Sequence, residues 1–358
     1  MIRAFISAIE YYLPEEVITN EDLARDFPQW SADRIFEKTG ILHRHRAAPG
    51  ETSVDMAVKA GEKMFAAGKM QRSQIDFTIL CTQTPDFILP TSACIVQERL
   101  GLPARSGSFD MNLGCSGFVY GLATAKGLIE TESAENVLLL TSDTYTKLLR
   151  DTDASVRSIF SDGAAATLIS ARHGAGDTGP FIGPFCFGTD GSGADRLIVR
   201  SGGFRNPHSS APGTPCLEMD GPGIFTFGLK RVPEAITELL RKRGIALPDI
   251  DLCIFHQASR IMLESLRTCL QIAPDRFFVN IAHHGNTISS TIPIALADAH
   301  AQGLARPLDV LLLAGFGVGL SWATTLVKLP SPLLQDSGRV QPQVHRSRRK
   351  QDDDKCPG

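Results

Sequence analysis

An internal repeat constrains this chain more than any other feature. The segment IDFTILCTQTPD, starting at Ile75, resembles IDLCIFHQASR, starting at Ile250. FDMNLGCSGFVYGLATA from Phe109 resembles FFVNIAHHGNTISSTIPIALADA from Phe277, and NVLLLTSD from Asn136 resembles DVLLLAGFG from Asp309. The pairs occur in the same order, with 61 residues from Asp76 to Val137 and 59 from Asp251 to Val310. Ordered matches at nearly equal spacing imply two structurally similar halves. The expected division is 1–172 for the first half and 173–329 for the second.

The repeated runs are short, apolar and bounded by Gly, Pro, Asp or Asn. Residues 75–81, 108–112, 137–141, 252–255, 277–280 and 310–314 therefore read as buried strands. Ala-rich stretches with helical periodicity lie between them, and helices are expected over 53–67, 91–100, 117–131, 225–244 and 289–302. The alternation specifies an α/β fold class with strands covered on both faces.

Composition excludes several functions. A formal net charge of −3 over 358 residues lacks the basic excess that a nucleic-acid partner demands. No run reaches the ~20 apolar residues of a membrane span. Met1 to Asn20 carries Arg3, Glu10, Glu15 and Glu16 in place of a secretory signal, so the expected location is cytoplasmic. The eight cysteines include no C-x-x-C pair, and no metal site is expected. His43, His45, His283 and His284 lack an acidic partner at metal-ligand spacing and read as surface or supporting residues.

The polar residues that interrupt the repeat carry the chemistry. Cys115 follows the second strand of the first half, flanked by Gly114 and Gly117. His256 ends the first strand of the second half, and Asn286 follows that half's second strand. Ligand crevices of such sheets lie beyond the carboxyl ends of the strands, so the three are expected to converge where the halves meet. A cysteine on a turn that opens a helix sits near the positive end of the dipole, which favours the nucleophilic thiolate. Asn286 reads equally as a helix cap or a turn residue. The glycines of LLLAGFGVGLSW allow the backbone N–H groups of Gly317 and Val318 to approach a substrate closely, as an oxyanion hole requires.

With these residues in place, the chain resembles the beta-ketoacyl-acyl-carrier-protein synthase III family of the thiolase superfamily. The resemblance runs through TGILHRHRAAPGETSVDMA (Thr39 to Ala57), TPDFILPTSACIVQERLG (Thr84 to Gly101), FDMNLGCSGFVYGL, IFSDGAAATLI (Ile159 to Ile169), IDLCIFHQAS, HGNTISSTIPIAL and GFGVGLSW. It implies a thiolase-like five-layer α-β-α-β-α fold from two similar halves, usually as a homodimer. It also implies an acyltransferase in which Cys115 takes an acyl starter and condenses it with malonyl-acyl carrier protein by a decarboxylative Claisen reaction. His256 and Asn286 would then stabilise the enolate, the N–H groups of Cys115 and Val318 the tetrahedral intermediate, and Phe316 would shield the nucleophile from water. No cofactor would be bound permanently. The substrates would be acyl-CoA or acyl carrier protein, both phosphopantetheine thioesters, and the carrier protein would be the partner.

Three departures from the family pattern bear on specificity. Arg34 and Ala154 stand where the family clamps the coenzyme A adenine between Trp and Arg, although Lys38 matches a basic residue of that entrance and Trp30 lies nearby. Ser259 and Ile261 replace an Asn and an arginine of HQAN-x-R, with Arg260 next door able to substitute in carrier docking. Leu89 occupies the position of a loop residue that reaches into the partner's acyl pocket and is Phe in acetyl-restricted members, so a starter longer than acetyl is expected. Acyl transfer to a hydroxyl or amine, a papain-like hydrolase and a non-catalytic carrier-binding homologue stand as alternatives; the repeated halves speak against the hydrolase. The polar, Pro-containing tail at 330–358 is expected to be disordered, with Arg346 to Lys350 as a solvated basic cluster.

Overall fold

The computed structural model describes residues 2–174, 179–207 and 216–330. The tail expected to be disordered lies, beyond Pro330, outside the described residues. Numbering only the strands of the two large sheets, the first half contributes β1 (Arg3–Tyr12), β2 (Phe77–Cys81), β3 (Gly107–Met111), β4 (Asn136–Asp143) and β5 (Gly163–Arg172). The second contributes β6 (Phe181–Thr189), β7 (Leu252–Phe255), β8 (Val310–Gly317) and β9 (Ser321–Lys328).

The first sheet has the order β1-β5-β4-β2-β3 and the second β7-β8-β9-β6. Read from β6, the second repeats the first strand for strand: β6 and β9 pair antiparallel, as do β9 and β8, while β8 and β7 are parallel. The matching pairs of the first sheet have the same directions. The one expected strand that fails is 277–280. It is reduced to a single parallel bridge between Phe277 and Cys253, where the first half has the full strand β3. Strands β1, β5, β6 and β9 escaped the reading from sequence. They carry small or polar residues such as the Ala164–Ala166 run and the Thr324–Thr325 pair, which blur the apolar pattern.

Helices complete five layers. The Ser53–Ala66 helix packs outside the first sheet, and the Gly221–Arg243 helix outside the second. The Gly117–Glu130 and Thr291–Ala301 helices fill the space between the sheets. The largest apolar cluster lies in that middle layer and joins both halves: Phe118, Leu122 and Ile129 of one helix and Ile292, Ala295 and Leu296 of the other pack against β2, β4, β7 and β8. An all-round apolar helix is what burial between two sheets demands. The Gly117–Glu130 helix approaches the sheet closely because of glycine: a Cβ at Gly117 would lie 2.3 Å from the Cys81 sulfur.

Candidate active site

Both middle helices begin at one end of the two sheets, and their N-terminal turns carry the site. Cys115 lies just ahead of Ser116, the residue that opens the Gly117–Glu130 helix. It is 6% exposed. Its sulfur accepts hydrogen bonds from its own N–H and from the N–H of Val318. Glycine makes this seat: a Cβ on Gly317 would come within 2.8 Å of the Cys115 Sγ, and one on Gly315 within 2.8 Å of the Cys115 carbonyl oxygen. The Val318 turn is tied back to the nucleophile's turn by hydroxyls. Ser321 Oγ donates to the Val318 carbonyl at 2.8 Å and lies 2.7 Å from Ser116 Oγ.

Burial works against the helix-dipole argument for a resting thiolate. Burial, with the Asp143 carboxyl nearby, pushes the thiol up to about 12, outweighing the two N–H groups that pull it down. A charge moved out of water with no counter-charge is disfavoured, and here that outweighs the local donors. Asp143 is itself fully buried at the end of β4, accepts from the Gln83 N–H at 2.8 Å and the Ser289 hydroxyl at 2.5 Å, and is pushed up to about 7 by burial.

His256 follows β7 directly, and its N–H extends the strand pairing by donating to the Ala314 carbonyl at 2.8 Å. Its ring is buried, edge-on to Phe316 with centroids 5.7 Å apart, and its Nδ1 lies 2.7 Å from the Thr291 hydroxyl. Burial draws its pKa down to about 3, so the ring is neutral near pH 7. Asn286 sits in a turn between Gly285, with φ +67°, and Ile288, with φ +53°. Its Oδ1 accepts from the Ile288 N–H at 3.0 Å and its Nδ2 donates to the Ala258 carbonyl at 3.4 Å. The carbonyl end is thus tied down as a cap, and the amide end keeps a hydrogen to offer. Of its two readings the turn residue holds and the helix cap does not: Asn286 closes a turn onto Ile288 and lines the cavity, while Thr287 and Ser290 stand at the N-caps of the helical segments that follow.

One cavity of about 120 Å³ gathers Cys115, His256, Asn286, Phe316, Gly317 and Ser259. The sequence brought these together except Ser259, which it set at the carrier entrance; it missed the apolar wall of Phe160, Leu197, Met219, Ile224 and Phe225. Leu197 and Met219 lie on a short two-stranded pair, Leu197–Val199 with Leu217–Met219, too short to carry a periodic signal. Ser259 has a further role as cap of the Arg260–Cys269 helix, accepting from the Met262 N–H at 3.3 Å.

The remaining candidates lie outside the cavity. Arg34 is exposed on the Ala32–Thr39 helix, and Lys38 places its Nζ 5.1 Å over the Trp30 ring. Ala154 is buried in a cluster with Leu23, Phe27 and Ile35, against which Trp30 packs. Arg260 stretches over Phe36 at 5.0 Å and donates to the Glu37 carbonyl at 3.2 Å, while its neighbour Ile261 is exposed. Leu89 is 83% exposed, next to exposed Phe87 and Ile88, and touches no part of its own chain's cavity. The supporting-histidine reading needs one correction: His284 Nε2 lies 2.7 Å from Asp298, an acidic partner too far along the chain to be seen as a motif. Among the described residues no group of three or more His, Cys, Asp or Glu side chains could hold a metal ion, and no helix is long and apolar enough to cross a membrane.

Comparison with known proteins gives a consistent result. Residues 109–191 match the family model of 3-oxoacyl-[acyl-carrier-protein (ACP)] synthase III, and residues 240–329 that of its C terminal. A beta-ketoacyl-[acyl-carrier-protein] synthase III of Caldanaerobacter subterraneus subsp. tengcongensis is 34% identical over 331 residues, covering 91% of this chain and 98% of the relative. Beta-ketoacyl-[acyl-carrier-protein] synthase III 3 of Streptomyces coelicolor is 37% identical over 325 residues, covering 89% and 95%. A crystal structure of a 3-oxoacyl-(acyl-carrier-protein) synthase III superposes with a TM-score of 0.89 at 48% identity, covering 91% of this chain and all of that one.

Proposed function

The chain belongs to the 3-oxoacyl-[acyl-carrier-protein] synthase III family, and on that premise we propose that it is a condensing acyltransferase working through a thioester on Cys115. The observation that carries this reading is the single cavity in which a buried cysteine, a neutral histidine and an amide-presenting asparagine meet.

In the first half-reaction the Cys115 sulfur attacks the carbonyl of an acyl thioester. The bond to the donor sulfur breaks, and the Cys115 proton ends on the departing thiol. In the second, malonyl-acyl carrier protein loses carbon dioxide, and the electron pair left behind forms an enolate. Its oxygen takes hydrogen bonds from His256 Nε2–H and Asn286 Nδ2–H, neutral donors suited to a developing negative charge. The enolate carbon then attacks the Cys115 thioester, the N–H groups of Cys115 and Val318 hold the tetrahedral oxygen, and collapse releases a 3-oxoacyl thioester and the Cys115 thiolate, which takes up a proton from water. Each such donor lowers the barrier by about 3–4 kcal/mol. Phe316 and the apolar wall exclude the water that would hydrolyse the intermediate.

The starter is longer than acetyl. A cavity of about 120 Å³ approaches the ~150 Å³ that accommodates a benzene ring. Exposed Leu89 reaches the partner's site in a cytoplasmic homodimer, and Lys38 and Arg260 meet the phosphopantetheine arm or its carrier protein. Coenzyme A and carrier protein remain alternative donors of the starter, because the adenine clamp positions hold Arg34 and Ala154. The test is intact mass after incubation with a chain-length panel of acyl-coenzyme A and acyl-carrier thioesters, with Cys115→Ala as control. An adduct that vanishes in the variant supports the reading and identifies donor and length; no adduct from any donor overturns it, and an acetyl preference overturns the longer starter.

A further inference from the structure

Thr291 opens the helix that follows Asn286, and its hydroxyl stands between two groups. It lies 2.7 Å from His256 Nδ1 and 3.1 Å from the Ile288 carbonyl. Thr291 and His256 are each 2% exposed, and apolar Phe316 packs against the ring at right angles. A threonine hydroxyl has one hydrogen to give, and a neutral imidazole carries one proton on one of its two nitrogens. Two arrangements follow. The hydroxyl can donate to Ile288, in which case Nδ1–H donates to the hydroxyl and Nε2 is bare. Alternatively the hydroxyl donates to Nδ1, and the ring proton sits on Nε2.

The distances favour the second arrangement. Hydroxyl donors make hydrogen bonds of about 2.7–2.8 Å, reaching ~3.0 Å, whereas N–H donors centre on about 2.9–3.0 Å. The 2.7 Å contact with Nδ1 has the usual length of an O–H donor, and the 3.1 Å contact with Ile288 is the longer of the hydroxyl's two. We infer that Thr291 is a positioning residue whose hydroxyl donates to His256 Nδ1 and thereby holds the imidazole in the tautomer protonated on Nε2. The partner of one ring nitrogen decides what the other offers. The inference rests for its purpose on the condensing reading, since Nε2–H is the donor the enolate oxygen requires; a bare Nε2 would repel that oxygen.

The test uses the full chain with ¹⁵N-labelled histidine, the His256 signals being assigned by their loss in His256→Gln. The wild-type spectrum near pH 7 is expected to show the proton on Nε2. Thr291→Val, which keeps the branched shape without the hydroxyl, is expected to lose that tautomer preference and to decarboxylate malonyl-acyl carrier protein about 10- to 100-fold more slowly, the usual range for removing such a supporting partner. Acylation of Cys115, read by intact mass, should be unchanged, and Thr291→Ser should restore both the tautomer and decarboxylation. A wild-type proton on Nδ1, a tautomer unaltered in Thr291→Val, or full decarboxylation by that variant overturns the inference. Failure of the condensing reading looks different: wild-type Cys115 takes no acyl group, whatever the tautomer.

Discussion

The two halves share strand order and direction but use the return from the sheet to the middle helix differently. In the first half the helix begins at Gly117, eight residues after Phe109 of β3; in the second it begins at Thr291, fourteen residues after Phe277. The first half spends this short return on a glycine turn that presents Cys115. The second gives up a full strand for one bridge at Phe277 and inserts the turn through Gly285, Asn286 and Ile288. The inserted residues do not hang free. Ser289 donates to Asp143 at the end of β4, and Ser290 donates to the Thr141 carbonyl at 3.1 Å, so the second half's insertion is hydrogen-bonded to the first half's sheet. A duplicated scaffold thus carries two unlike tasks: one return loop holds a nucleophile, and the other delivers donors to the same cavity.

That division is open to direct attack. Cys115→Ala should abolish turnover and the acyl adduct while leaving the second half's donors in place; residual adduct in the variant would break the assignment of the nucleophile to the first half. Asn286→Asp should separate the halves functionally. Acylation persists, but decarboxylation of malonyl-acyl carrier protein falls by about 10²–10³-fold, as when one oxyanion donor is lost, and equal damage to both steps in a two-stage assay would refute the split. Gly317→Ala forces a Cβ into the 2.8 Å contact with the Cys115 sulfur. A shift of about 1 Å costs on the order of 10²-fold, so single-turnover acylation should drop by about that factor with little change in thermal stability.

Two smaller effects concern the charge behind the nucleophile. With the thiol pushed up to about 12, the rate of alkylation of Cys115 by iodoacetamide should climb steadily with pH up to about 9, because the thiolate fraction grows tenfold per pH unit below the pKa. A plateau near neutral pH would show that the dipole wins over burial after all. Asp143→Asn removes the negative charge that helps to raise the thiol, so alkylation at pH 8 should speed up by several-fold. An unchanged or slower rate in a folded variant would show that the carboxyl is neutral or that its hydrogen bonds to Gln83 and Ser289 matter more than its charge.

How much of this was legible in the sequence depends on whether the signal was local. The repeat, the buried parallel strands and the two middle helices announce themselves because apolar periodicity is written in consecutive residues. Cys115 and Asn286 stood out by their glycine-flanked turns, and His256 by ending a strand. Strands β1, β5, β6 and β9 did not, because Ser7 and Glu10, the Ala164–Ala166 run, Gly183 and Pro184, and Thr324 and Thr325 interrupt their apolar pattern. The loss of the Phe277 strand was likewise illegible: the run is apolar enough, and only the turn that follows draws it away from the sheet.

The sequence by itself determined an α/β chain of two similar halves, the strand ends at which polar residues gather, and the candidate cysteine, histidine and asparagine; the five layers followed only from the family it resembles. Only the tertiary structure decided the state of those groups. The resting thiol, the neutral imidazole, the orientation of the Asn286 amide and the partnership of Thr291 with His256 all depend on burial and on contacts between segments far apart in the chain. Protonation responds to the solvent displaced and the dipoles brought near, and those are fixed only when the two halves close on each other.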